Sequence, residues 1–207
     1  MSENDPTILY AVRHGETEWN CKGKQQGYLD SPLTEFGFQQ AQTLADGLSG
    51  KGIEVLYSSV LGRAMQTAHI IGRRLGLAVN AEKHFRERHL GVMEGLSMLE
   101  FRNKYPDEWA FFSSGDPDYA LPDGESAKQF YDRCVNRCIE LTEYHAGQRI
   151  LVVTHGGVLK SFFYHALCIP LIHPRRFSLF NAAINCFVVS KDQWRLETWG
   201  YRPFSGK

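Results

Sequence analysis

Thr7-Ile8-Leu9-Tyr10-Ala11-Val12-Arg13-His14-Gly15-Glu16-Thr17 is the stretch on which the reading of this chain turns. An apolar run stops abruptly at an arginine, a histidine and a glycine. Apolar side chains without polar alternation are what a strand buried on both faces of a parallel sheet requires. Residues 7–13 are therefore expected to form such a strand and to deliver a guanidinium and an imidazole to one edge of a sheet.

Working outward, a loop rich in Gly, Lys and Gln follows. Thr34 is a good N-cap for the next helix, with Leu33 and Phe38 placed for a hydrophobic staple. Phe38, Ala41, Leu44, Ala45 and Leu48 are its apolar stripe. Ile53–Tyr57 reads as a second strand. A helix marked by Leu61, Ala64, Met65, Ala68, Ile71 and Leu75 closes at Gly76. Leu77-Ala78-Val79 is a short third strand. Ser97 with Glu100 suits a capping box, and Pro106 the first position of another short helix. Residues 113–124 are loop. Ser126 with Gln129 caps a long helix whose stripe is Ala127, Phe130, Tyr131, Cys134, Cys138 and Leu141. Residues 149–154 are another buried strand, followed by a helix from Gly156 to about Leu167. Two terminal strands are expected, roughly at 177–189 and 193–199, joined by a tight turn at Lys191-Asp192. This alternation predicts an α/β fold: a three-layer α/β/α sandwich, with a mostly parallel central sheet and helices on both faces.

The bulk properties agree with one such unit. The chain has 207 residues, which suits a single domain over 1–207, with a helical and loop excursion at about 97–125 covering the site. Lys plus Arg and Asp plus Glu each number 23, so the formal net charge is zero. No nucleic-acid or membrane partner is expected from that balance, and no apolar run reaches the roughly 18 residues of a membrane span. The segment Met1–Pro6 is too polar for a secretory signal. Five cysteines, odd in number and scattered, read as free thiols in a reducing, cytoplasmic setting. Cys134 and Cys138 lack the C-x-x-C spacing of zinc sites and read as core positions. No metal and no cofactor are expected; a homodimer is an open possibility.

In open α/β sheets the ligand sits beyond the carboxyl ends of the strands. The first strand brings Arg13, His14 and Gly15 there. The second brings Ser58, Ser59 and then Arg63, the third leads to Arg86, Glu87 and Arg88, and the fourth brings Thr154, His155, Gly156 and Gly157. Two imidazoles, at least two guanidiniums and a carboxylate suit phosphoryl transfer. Guanidiniums grip phosphate oxygens bidentately, and a neutral imidazole can attack phosphorus. A charged second histidine can share the equatorial oxygens, and a protonated carboxyl can serve the leaving alkoxide. The helix after His155 is expected to aim its N-terminal amides at the same oxygens, with Gly156 leaving room for the approach. No G-x-x-x-x-G-K-[ST] loop accompanies the set.

Arg13-His14-Gly15-Glu16-Thr17 with Trp19-Asn20 resembles the signature of the histidine phosphatase superfamily, which includes the cofactor-dependent phosphoglycerate mutases. Ser31-Pro32-Leu33-Thr34 with Gly37 and Gln40-Ala41, Tyr57-Ser58-Ser59 with Arg63-Ala64, Arg86-Glu87 with Glu94-Gly95, Pro122–Ser126, and Val153–Gly157 resemble its later motifs, in order. The resemblance implies a phosphoglycerate mutase-like fold. It implies a phosphate pocket of Arg13, His14, Arg63 and His155, phosphorylation of His14, Glu87 as proton donor and Asn20 as a further phosphate ligand. Gln26 matches a common glutamine of the loop.

The expected activity is metal-independent hydrolysis of a small-molecule phosphate monoester. A mutase is the nearest rival; mutases of this family usually carry a longer insertion than the one between Glu87 and Ser126 and a longer C-terminal tail. A non-catalytic phosphate-binding domain is a second rival. Glu94 is the second choice for the acid. Tyr57, Ser58 and Ser59 read as turn residues, and His69, His84, His145, His165 and His173 as bystanders. Trp109, Phe111, Phe112 and Tyr119 are expected to pack on the sheet domain or to line the substrate pocket from above, favouring a small organic leaving group.

Overall fold

The structure is a computed structural model and describes residues 6–191 and 193–203. Strands β1 (Thr7–Arg13), β2 (Val55–Ser59), β3 (Val79–Glu82), β4 (Arg149–Thr154), β5 (Ile184–Ser190) and β6 (Gln193–Tyr201) form one sheet in the order β3-β2-β4-β1-β5-β6. The first four strands of that order run parallel, and β5 and β6 complete the edge antiparallel. The helices are α1 (Glu18–Cys21), α2 (Glu35–Leu48), α3 (Gly62–Leu75), α4 (Met98–Lys104), α5 (Pro106–Ser114), α6 (Ala127–Tyr144) and α7 (Gly156–Ala166). None of the described helices is long and apolar enough to cross a membrane.

The unbroken apolar runs of β1 and β4 serve two cores at once, because successive side chains of a strand point to opposite faces. Leu9, Ala11, Ile150 and Val152 pack with α6 and α7 through Phe130, Cys134, Cys138, Val158 and Phe162. Tyr10, Val12, Leu151 and Val153 pack with α2 and α3 through Leu44, Leu48, Ala64, Ala68 and Ile71. Cys134 and Cys138 are thus core residues, and burial raises both thiols, Cys134 to about 12.

The local signals placed the helix starts well. Thr34 accepts from the Gly37 amide, and the capping boxes at Ser97 and Ser126 both form. Gly76 ends α3 at φ 70°, a left-handed conformation that favours glycine. Phe38 is a correction: it is 39% exposed, and the buried face of α2 uses Gly37 and Gln40 instead. Strands β2 and β3 begin two residues later than their apolar letters suggested, and β5 begins at Ile184 rather than near 177. Their bounds follow pairing with β4, β2 and β1, which composition does not encode. Lys191 has φ 51°; its expected turn partner Asp192, like most of the polar N-terminal segment, lies outside the described residues.

The excursion between β3 and α6 has a small core of its own. Met93, Phe101 and Leu121 are buried there, with Tyr105, Trp109, Phe112 and Tyr119 packed against them. Of the aromatic residues expected to pack on the sheet domain or to line the pocket from above, Trp109, Phe112 and Tyr119 pack into this cap, and Phe111 is exposed.

Candidate active site

Strand register assembles the centre. Arg13 lies opposite Thr154 in the β1–β4 ladder, and the next amide, His14 N, donates to the Thr154 carbonyl at 2.9 Å. His14 and His155 therefore leave adjacent parallel strands at the same height, with ring centroids 5.3 Å apart. On the other side of β4, Ser58 lies opposite Val153, which sets Ser59 beside His155. A cavity of about 260 Å³ opens over this edge, lined by Arg13, His14, Asn20, Gln26, Arg63 and Glu87, with Lys24 and Leu90 at its rim.

His14 is 2% exposed. Its Nδ1 lies 2.7 Å from the Gly15 carbonyl. A carbonyl can only accept, so Nδ1 carries the proton and Nε2 keeps its lone pair. The turn that presents it is tied down by backbone contacts. A Cβ on Gly15 would run into the Gly37 carbonyl, so the first turn of α2 lies directly against the histidine loop. The Gly15 amide donates to Thr67 Oγ1, and Asn181 Nδ2 donates to the His14 carbonyl.

His155 does not line the cavity; it stands fully buried behind His14. Its Nε2 is 2.7 Å from Ser59 Oγ. Ser59 Oγ also accepts from the Leu61 amide; we assign the neutral tautomer in which Ser59 donates to Nε2 and the ring proton sits on Nδ1. Ser59 is therefore more than the turn residue expected from sequence. Burial, then Arg63, lowers the pKa of both imidazoles well below the usual histidine value; Arg13 contributes to both and His14 to that of His155. In the free protein His155 is thus neutral, and the charge expected of it against phosphate oxygens would be acquired with the ligand.

Arg63 is 1% exposed. Most of its guanidinium is spent on the loop before it: Nη1 donates to the Leu29 carbonyl and to Asp30, and Nη2 to the Gly27 carbonyl. Arg13 Nη1 donates to the Leu179 carbonyl. What remains is specific. Arg13 Nε, Arg63 Nε and His155 Nδ1 are buried donors without a hydrogen-bond partner. Buried polar groups are rarely left so, and all three belong to side chains that neighbour His14. Asn20 Oδ1 is taken by the Thr17 amide and Asn181, leaving its NH₂ group for a ligand. Gln26 bonds Thr17 Oγ1 through Nε2, with Oε1 unpartnered; turning the amide over would satisfy Oε1 and add a donor toward the cavity.

Glu87 sits at the cavity edge without an ion pair among the described residues. Its carboxylate accepts from the Arg88 and Gly157 amides. The α7 amide expected to reach phosphate is therefore engaged by Glu87, and Gly156 is buried against Arg13 rather than lining the cavity. Arg133 from α6 holds the carbonyls of His84, Arg86 and Glu87, a positioning role without a sequence signal. Glu94 is occupied with the amides of Tyr28, Leu29 and Leu90 and acts as a structural clamp. Among the expected bystanders, His145 bonds Tyr57 and Gln148, and His165 lies by Tyr131. Among the described residues, no group of three or more His, Cys, Asp or Glu side chains is placed to hold a metal ion.

Two outcomes are expected from this geometry. Because both imidazoles have folded pKa values below their unfolded ones, the unfolded chain binds more protons, and stability falls as pH drops below about 6.5. The slope approaches about 1.4 kcal/mol per pH unit for each imidazole. Thermal melts from pH 7.5 to 5 should show it, with inorganic phosphate opposing the loss; a flat profile, once carboxylate effects are subtracted with a His14→Ala, His155→Ala double variant, would contradict it. Ser59→Ala removes the partner that orients His155 and should lower kcat on any accepted substrate roughly 10- to 100-fold, while leaving Nε2 buried without a partner should cost about 1–3 kcal/mol of stability.

Comparison with known proteins agrees with this geometry. A family model described as the histidine phosphatase superfamily (branch 1) matches residues 9–202. Phosphoglycerate mutase-like protein 4 of Arabidopsis thaliana is 41% identical over 200 residues, covering 95% of this chain and 86% of its own length. The metal-independent phosphoserine phosphatase of the same plant is 34% identical, covering 95% of this chain and 82% of its own. The solved structure of YhfR from Bacillus stearothermophilus superimposes with a TM-score of 0.87 at 31% identity, over 94% of this chain and 97% of that one.

Proposed function

This chain belongs to the histidine phosphatase superfamily, and from that premise we propose that it is a metal-independent phosphatase of small-molecule phosphate monoesters. The observation that carries the reading is three buried donors without partners, Arg13 Nε, Arg63 Nε and His155 Nδ1, on side chains that neighbour His14 and its free Nε2. A phosphate in the cavity meets Arg13, Arg63 and Asn20, with phosphorus facing the nucleophile, while His155 acts from behind His14.

Nε2 of His14 attacks phosphorus, and the bond from phosphorus to the ester oxygen breaks. Glu87, with its carboxyl protonated, gives that proton to the departing alkoxide. Water then attacks the phosphohistidine and returns a proton to Glu87. The N–P bond breaks, inorganic phosphate leaves, and both groups are restored. A dianionic phosphate beside His155 also favours its protonation, so the second histidine can gain its charge with the substrate.

The relative named as a metal-independent phosphoserine phosphatase supports hydrolysis. The one named as phosphoglycerate mutase-like keeps phosphate return to substrate as a second reading. Release of phosphate from p-nitrophenyl phosphate should persist in EDTA; its loss on chelation would refute metal independence. Interconversion of 3- and 2-phosphoglycerate without phosphate release would favour the mutase. Glu87→Gln should slow alkyl phosphates roughly 100-fold or more and p-nitrophenyl phosphate much less, since nitrophenolate leaves unaided. Equal losses would remove Glu87 from the acid role.

A further inference from the structure

Beyond Glu87 the site opens into a second, larger chamber of about 730 Å³ that shares Gln25, Glu87 and Leu90 with the phosphate cavity. A phosphate monoester held at His14 must direct its alcohol past Glu87, so this chamber is where the leaving group goes. Its walls are of two kinds. Trp109 and Phe112 from the cap, with Phe130 from α6, give an apolar side. Arg88, Lys160 and Arg175 give a cationic one.

The cations lack direct carboxylate partners, with Arg88 feeling the charges of Glu125 and Glu87 at longer range. Among the described residues none of the three forms an ion pair with a carboxylate. Arg88 is anchored by the carbonyls of Glu125 and Tyr119 and lies over the Phe112 ring. Arg175 donates to the Phe177 carbonyl. Lys160, half-buried, rests its ammonium over Tyr164 at 4.9 Å. Burial lowers the pKa of Lys160, and its neighbours Arg88 and Arg175 lower it further. The one carboxylate on the chamber wall, Glu87, is already shared between two amides. Three like charges gathered around a partly apolar space are stabilised by an anion entering it.

We propose that the chamber binds an alcohol carrying both an apolar or aromatic body and an anionic group of its own, with Lys160 and Arg175 as the specificity residues that hold that anion. This rests on the phosphatase reading for the direction of the leaving group. It extends the expectation that aromatic walls favour a small organic leaving group: they select its carbon body, while the cations select its charge. The volume lies within the range of pockets that enclose ligands larger than a three-carbon acid.

The test compares 3-carboxyphenyl phosphate with its neutral amide, 3-carbamoylphenyl phosphate, which have similar leaving groups. The native protein should favour the carboxylate roughly 10- to 100-fold in kcat/KM, with most of the difference in KM. Lys160→Met and Arg175→Met should each reduce that ratio, lowering kcat/KM for the carboxylate ester more than for the amide. A ratio near one in the native protein, or one that survives both variants, would overturn the assignment. If neither ester is hydrolysed, it is the phosphatase reading that fails. Calorimetric binding of 3-carboxybenzylphosphonate and its amide then decides the chamber separately: tighter binding of the carboxylate, lost in Lys160→Met, supports it, and equal binding rejects it.

Discussion

His14→Ala is expected to lower turnover of phosphate monoesters by at least roughly 10⁴-fold, because in the proposed mechanism it removes the atom that bonds to phosphorus. No neighbouring group can take over. Nε2 of His155 is held by Ser59, and its Nδ1 carries the assigned proton. The fold should survive: the imidazole's one hydrogen bond is to the adjacent Gly15 carbonyl, and the strand end is anchored by backbone contacts to Thr154, Thr67 and Asn181. The variant should also lose part of the acid sensitivity, since one of two protonation-averse imidazoles is gone. Rapid quench with a labelled substrate should trap an acid-labile, alkali-stable phosphoryl group on His14 in the native protein and none in the variant. Label on another residue, or turnover within tenfold of native, would refute the nucleophile assignment.

Arg63→Met is expected to have two separable effects, one on the fold and one on the chemistry. The guanidinium bridges α3 to residues 27–30 through the Gly27 and Leu29 carbonyls and Asp30. Losing these charge-assisted bonds from a buried site should cost about 2–4 kcal/mol, discounted because Asp30 is partly exposed and screened. For a chain of this size that corresponds to roughly 5–15 °C in melting temperature. The transition-state charge loses one of its fixed donors as well, which should remove roughly 10³-fold or more in kcat/KM. Arg63→Lys restores the charge without the planar fork and should recover little of either. Stability and activity measured at a temperature where the variant is folded separate the two effects. A stable variant lacking activity would mean that the loop anchoring is dispensable; an active, unstable one would mean that Arg63 does not hold phosphate.

That dual role illustrates how much of the site was legible. Arg13, His14, Arg63, Glu87 and His155 could be picked out because each follows a strand with its own local signature. The strand ends had to converge if the alternation was that of a parallel sheet. Ser59 and Arg133 could not be found this way. A serine after an apolar strand and an arginine on a long amphipathic helix are ordinary surface or turn letters. They gain roles only because β2 pairs with β4 and α6 packs beneath the segment that carries Glu87. The misplaced strand starts have the same origin. Residues 53–54 and 77–78 have strand-like composition, but ladders begin where a partner exists.

The sequence by itself determined the order of elements, most helix caps, the α/β class and the residue types that meet at the sheet edge, because periodicity and capping act over a few neighbouring residues. Only the tertiary structure decided which nitrogen of His14 is free, that burial disfavours charge on His155, how little of the Arg63 guanidinium is left unpartnered, and that a cationic chamber lies beyond Glu87. Each of those depends on burial and on hydrogen-bond partners brought from distant parts of the chain, and the field and desolvation they create have no counterpart in local sequence.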